Sequence, residues 1–367
     1  MSATPTHKAL YLTSTGTITI LSLGPDPPYT PTGSESLVQV QYSGINPGDL
    51  RHFHMGLHSF IMGYDFSGTV LSSGPSSPFS PGDPVLGMTN PAHQRPHSQG
   101  AHQAFLIADP YLAWRRPSTL SPQSAVGIPC AAQTAADALF NRLGFGLPQA
   151  GVPGDDAAHH ALLIWGAGSS VGWAALQLAR CAGFAAIFVT ASPHNHAALL
   201  DAGATKCFDY RSPDVVQDIR SVVTNSGLKM TRIFDAVGAG LDIFQRPDAP
   251  LKECSLSSPF LAKQCLSDDI EEGEVRLTCT LPVLEDEDWK FCLWSRKADD
   301  QQKEYPGWWE RQEKVVTWLI ENHEVSWRPL PRLRVVNTAE GAVQAVRDVF
   351  GGKVSMEKVV VQHPLRE

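Results

Sequence analysis

The chain has 367 residues, in which 29 Lys and Arg against 37 Asp and Glu leave a net charge of −8. Charged residues at 18% and hydrophobic residues at 43% exclude wholesale disorder, and net acidity argues against nucleic-acid binding, which needs clustered Lys and Arg. At roughly 150 residues per domain the length suggests two domains. No apolar run approaches the ~18 residues of a membrane span, and residues 1–7 lack the order of a signal peptide, so a cytoplasmic protein without a membrane partner is expected.

Residues 8–120 are β-rich: short alternating or apolar runs at 9–11, 18–23, 37–42, 66–71 and 84–88 are cut by Gly/Pro turns, which predicts a small barrel-like β domain. Ser121 before Pro122 predicts a helix start, with an Ala-rich helix to Leu143 stopped by Gly144. After a polar loop at 145–160, strands at 161–165, 186–190, 206–209 and 232–236 alternate with helices at 169–181, 194–202 and 213–224. That alternation predicts a parallel, doubly wound α/β sheet. Residues 245–274 carry no firm assignment, and 275–281 reads as a strand. The acidic stretch 284–309, with four of the nine tryptophans, reads as a surface excursion with aromatic anchors. Helices follow at 310–321, with Val315, Val316, Trp318 and Leu319 inward, and at 338–350, with a last strand at 359–361. Seven cysteines, at 130, 181, 207, 254, 265, 279 and 292, include no CxxC pair and read as reduced thiols.

The most informative stretch is Gly166-Ala167-Gly168-Ser169-Ser170-Val171-Gly172, between a strand and a helix. Turn glycines let backbone N–H groups approach a pyrophosphate, and the helix N-terminus adds partial positive charge. The spacing G-x-G-x-x-x-G is one residue longer than the usual fingerprint, so the reading rests on its strand–turn–helix context. Gly168, Ser169, Ser170, Val171 and Gly172 are the expected cofactor contacts; the alternative is a tight turn without a ligand. An NAD site places Asp or Glu at the end of the second strand to bind the ribose 2′-OH. Here Ser192-Pro193-His194-Asn195 stand there, without a carboxylate, and their donors suit a 2′-phosphate, so the expected cofactor is NADPH. Ser192-Pro193 also fits a helix cap, and both roles are compatible. Tyr210 closes the third strand, where it can stack on the adenine.

These residues resemble the medium-chain dehydrogenase/reductase superfamily. The nearest resemblance is to the fungal trans-acting enoyl reductases of polyketide synthases. It is carried by Ile45-Asn46-Pro47-Gly48-Asp49, Gly63-Tyr64-Asp65-Phe66-Ser67-Gly68-Thr69-Val70, Ser192-Pro193-His194-Asn195, Phe208-Asp209-Tyr210-Arg211-Ser212-Pro213 and the closing stretch 338–361. The resemblance implies a GroES-like catalytic domain at 1–124, completed by 283–367, and a Rossmann NADPH-binding domain at 125–282. It also carries Pro47, Gly48, Asp49, Ser355 and Met356 over as cofactor contacts. Zinc-dependent members supply a Cys early in the catalytic domain and a Gly-His-Glu further on. Asn46-Pro47 and Tyr64-Asp65 stand at those places here, so no metal is expected. Histidines 52, 54 and 58, then 93, 97 and 102, cluster without soft or acidic partners at ligand spacing and read as solvated or loop histidines. The fourth strand is followed by Arg246-Pro247-Asp248-Ala249-Pro250, without the family's glycine pair. Those prolines disrupt the sheet edge through which dimeric relatives pair, so a monomer is expected.

The implied reaction, without metal, is hydride transfer from NADPH to the β-carbon of an enoyl thioester on a polyketide synthase carrier protein, followed by protonation at the α-carbon. By resemblance Thr134 lies near the nicotinamide, where its hydroxyl touches the ribose or the thioester oxygen, or serves helix packing. Arg51 stabilises enolate charge or grips a phosphopantetheine phosphate, or is a solvated surface arginine. Asn46 and Asp49 organise the cleft loop. No proton donor is evident, and water can serve. Two other functions stay open: a free-standing quinone or enone reductase, and a non-catalytic nucleotide-binding protein.

Overall fold

Strand Ser36–Gly44 alternates buried and exposed side chains along its middle, whereas strand Ala161–Trp165 is buried at every residue. The first pattern suits an antiparallel sheet with one face in the core, the second a parallel sheet covered on both faces. In the computed structural model, which describes residues 7–24, 26–92, 94–241, 257–271, 273–296 and 306–367, these patterns belong to two compact units. One unit comprises Met1–Cys130 and Pro329–Glu367, the other Ala131–Arg328. The sequence-based boundaries at 124/125 and 282/283 differ from this division, most at the return to the first unit.

The first unit holds a ten-stranded sheet whose main path runs Ile18–Leu23, His7–Leu12, Glu357–Arg366, Ser36–Gly44, Asp65–Ser73, Pro84–Met88 and Ala113–Arg115. Leu10, Leu12, Phe60, Met62, Val359 and Val361 bury one face together with Ala342 and Val346 of helix Ala339–Phe350. Thr338 caps that helix by accepting the Gly341 N–H. The last strand is ten residues long rather than three, because it gains a parallel neighbour, Arg332–Thr338, that the sequence reading missed.

The second unit's sheet runs Lys206–Phe208, Ala186–Thr190, Ala161–Trp165, Arg232–Asp235, Arg276–Cys279 and Trp289–Phe291, all parallel. In chain order that is 3-2-1-4-5-6, the doubly wound dinucleotide topology. The expected surface excursion is therefore corrected at Trp289–Phe291, which adds the sixth strand and buries Trp289. The expected continuous helix at 121–143 is also corrected. It divides into Pro122–Ala125, Pro129–Ala136 and a wider turn at Asp137–Arg142, since Pro129 cannot donate to a preceding turn. Asp137 in that turn is fully buried and forms a two-point ion pair with the equally buried Arg296. Helix Trp308–Glu321 buries Val315, Val316 and Leu319, with Trp318 only half-buried. The Arg246–Pro250 reading and His93 lie outside the described residues. No helix among the described residues is long and apolar enough to cross a membrane.

Candidate functional site

Strand order reverses between Ala161–Trp165 and Arg232–Asp235, and ligands of doubly wound sheets bind beyond the carboxyl ends of such a pair. The phosphate loop lies there. Gly166 has φ +84°, and a Cβ on it would come within 2.6 Å of a Val237 methyl. Its N–H donates to Thr190 Oγ1 at 3.0 Å, and the Ala167 N–H donates to the Thr190 carbonyl at 3.0 Å. Ser169 caps helix Ser170–Ala182 by accepting the Gly172 N–H at 3.0 Å. The N–H groups of Ser170 and Val171 precede any intrahelical acceptor and are left for a ligand. A Cβ at Gly172 would stand 2.5 Å from the Gly166 carbonyl oxygen, so helix and loop meet backbone to backbone. This cradle fits a pyrophosphate in shape and in donors.

Facing the loop, buried Asp235 accepts the N–H groups of Val237 and Gly238, each at 2.9 Å, and the Ser258 hydroxyl. Burial pushes its carboxyl up to about 6. These bonds fix residues 236–239, whose Ala236 carbonyl accepts from Ser169 Oγ at 3.4 Å. The sequence reading missed Asp235; its signal is an acid closing a strand directly after the apolar pair Ile233-Phe234.

Parallel pairing puts the ends of strands Ala186–Thr190 and Lys206–Phe208 beside that loop. Ser192 and Asn195 are buried and His194 is exposed, around the short turn Pro193–Asn195. Ser192 takes the cap position without a side-chain capping bond, so its hydroxyl is not committed to the turn. His196 Nε2 lies 3.0 Å from the Ala191 carbonyl. Tyr210 is exposed, and the Arg211 guanidinium sits 4.7 Å over its ring. Arg211, also missed, is a cation among the neutral donors, and its position directly after Tyr210 is the signal. Thr134 is buried and lies on helix Pro129–Ala136.

The remaining expected contacts belong to the first unit. Pro47 precedes the one-turn helix Gly48–Arg51, which carries Asp49 and the half-buried Arg51. Asp49 is buried; its Oδ2 accepts the Asn46 N–H at 2.8 Å and lies 3.4 Å from His102 Nε2. Ser355 and Met356 form the turn before the last strand, with Met356 buried at φ +50°. Solvated or loop histidines are corrected at two positions. His52 is buried with Nδ1 2.6 Å from Tyr64 Oη, and His102 is fully buried with Nδ1 2.8 Å from Ser43 Oγ. Burial lowers His52 to about 4 and raises the Tyr64 phenol. Among the described residues no three His, Cys, Asp or Glu side chains converge as metal ligands.

The alcohol dehydrogenase GroES-like domain family matches residues 32–113. The trans-enoyl reductase tndF of Aspergillus flavipes is 28% identical over 93% of this chain and 95% of its own length. The dehydrogenase orsE of Emericella nidulans is 31% identical over 63% of this chain and 71% of its own. The chain spans only 44% to 58% of the length of other curated dehydrogenases it matches. The crystal structure of the CurK enoyl reductase, 18% identical, superposes with a TM-score of 0.69 over 98% of this chain and 99% of that one.

Proposed function

The chain belongs to the medium-chain dehydrogenase/reductase superfamily, and on that footing we propose that it is a zinc-independent trans-acting enoyl reductase. It uses NADPH to reduce the α,β-double bond of a polyketide enoyl thioester held on a synthase's carrier protein. The observation that carries the cofactor is the backbone cradle at Gly166–Gly172 with an uncommitted Ser192 hydroxyl and the Arg211 cation after the next two strands. The likeness to a trans-enoyl reductase along nearly the whole chain supports the reaction.

When bound, NADPH supplies hydride for the β-carbon. The helix start at Ser170 and Val171 would hold the pyrophosphate, Ser192 and Arg211 the 2′-phosphate, and Tyr210 the adenine. Pro47, Gly48 and Asp49 shape the catalytic loop, and Arg51 offers a cation for enolate charge or for the pantetheine phosphate. Thr134 orients the ribose or the thioester oxygen. Water supplies the α-proton. The test is to incubate the protein with NADPH and an enoyl-pantetheine thioester. NADPH loss with formation of the saturated thioester is expected. Turnover of free quinones or enones with none of the thioester would overturn the reading.

A further inference from the structure

A closed ring of buried polar groups lies at the root of the Asn46–Arg51 loop, unused by the chemistry above. Lys358, on strand Glu357–Arg366, is 4% exposed. Its ammonium donates to Asn46 Oδ1 at 2.8 Å, to Asp65 Oδ2 at 3.2 Å and to the Ile45 carbonyl at 3.2 Å. Asn46 Nδ2 donates to the same Asp65 oxygen at 2.8 Å, and the Cys130 N–H donates to Asp65 Oδ1 at 2.9 Å. All three ammonium protons are met, and so is each carboxylate oxygen. That is the condition under which a buried ion pair persists, since either partner alone would carry an uncompensated charge.

The ring joins residues more than 290 positions apart in sequence, yet strand pairing already holds the last strand against Ser36–Gly44. An apolar side chain at 358 would serve that pairing equally well. What the ring adds is orientation. Only one setting of the Asn46 amide points oxygen at the ammonium and nitrogen at the carboxylate. The Asn46 N–H in turn donates to Asp49 Oδ2, two residues before Arg51 in the same short helix.

We propose that Lys358 and Asp65 form a positioning pair that sets the Asn46 amide and, through it, the Asp49–Arg51 turn for reduction of the bound substrate. The assignment rests on the enoyl reductase reading. Neither residue touches substrate. The other titratable groups joined to the ring are Asp49 and His102 through the Asn46 N–H, and Cys130 through its backbone; His52 and Tyr64 bond to each other beside them.

The test compares wild type, Lys358→Met, Asp65→Asn and the double variant across pH, reading kcat, KM and melting temperature. Lys358→Met strands the Asp65 carboxylate, so kcat is expected to fall about tenfold at alkaline pH and to recover as Asp65 takes up a proton in acid. The double variant removes the stranded charge and should lose that pH dependence. A Lys358→Met variant with wild-type kcat, or one with a pH-independent loss that the double variant shares, overturns the proposal. If the wild type reduces no enoyl thioester, the functional reading fails by itself. The melting series then decides the ring: alkaline destabilisation of Lys358→Met, relieved in the double variant, supports it, and parallel melting curves refute it.

Discussion

Ser192 and Arg211 follow neighbouring parallel strands, and together they offer the hydroxyl and the guanidinium that the proposed NADPH site assigns to a 2′-phosphate. A charge-assisted hydrogen bond contributes roughly 1.5–3 kcal/mol. Arg211→Ala is therefore expected to weaken NADPH binding by about ten- to a hundredfold while leaving NADH nearly unchanged. Ser192→Asp should repel the phosphate and shift the ratio the same way. Fluorescence titration of both cofactors checks each variant, and an unaltered ratio would remove these residues from the site. Elsewhere, Asp137 and Arg296 have no exposed side-chain surface. Removing one partner leaves a buried charge, so Asp137→Ala should cost about 3–5 kcal/mol in urea unfolding. A loss under 1 kcal/mol would mean that water reaches Arg296.

The helix Ser170–Ala182 meets its loop through Gly172, where a methyl would press on a carbonyl oxygen that belongs to the backbone and cannot swing away. Gly172→Ala should therefore displace the loop and weaken both cofactors by tenfold or more, a loss that isothermal titration would read directly. This loop was legible in the sequence because its signals are local: an apolar run, a glycine turn, a capping serine. The strands Ile18–Leu23, Pro84–Met88, Ala161–Trp165 and Ala186–Thr190 were legible for the same reason. Trp289–Phe291 was not, because a three-residue strand amid acids carries no period, and its identity comes from the neighbour at Arg276–Cys279. The break at Pro129 was readable and outweighed by the alanines around it. The link from Asn46 and Asp65 to Lys358 had no sequence signal, since only pairing of the last strand brings Lys358 to them.

Acid acts on the molecule through the buried His52. His52 is neutral when folded, titrating near 4 because burial disfavours its charged form, and the unfolded chain titrates near 6.5. Its contribution is fully present above pH 6.5 and is lost as pH falls toward about 4, where the loss levels off. That amounts to about 2 kcal/mol between pH 6.5 and pH 5. Wild type should lose this much more stability over that interval than His52→Gln, as measured by urea unfolding; equal slopes would show that His52 charges freely in the fold. Chelators should leave activity untouched, and stoichiometric zinc in elemental analysis, lost together with activity, would contradict this. The strand Glu357–Arg366 has a consequence for synthesis on the ribosome. It lies between His7–Leu12 and Ser36–Gly44 and also carries Arg332–Thr338, so the hub of that sheet is translated long after the two strands it lies between. The earliest strands emerge hundreds of residues ahead of their partner, with backbone groups open to pairing with other nascent chains. Ala131–Arg328 needs nothing from that strand to complete its own sheet. A chain stalled before Glu357 should then hold a protease-resistant middle flanked by cleavable segments, and should depend on chaperones until strand Glu357–Arg366 leaves the exit tunnel.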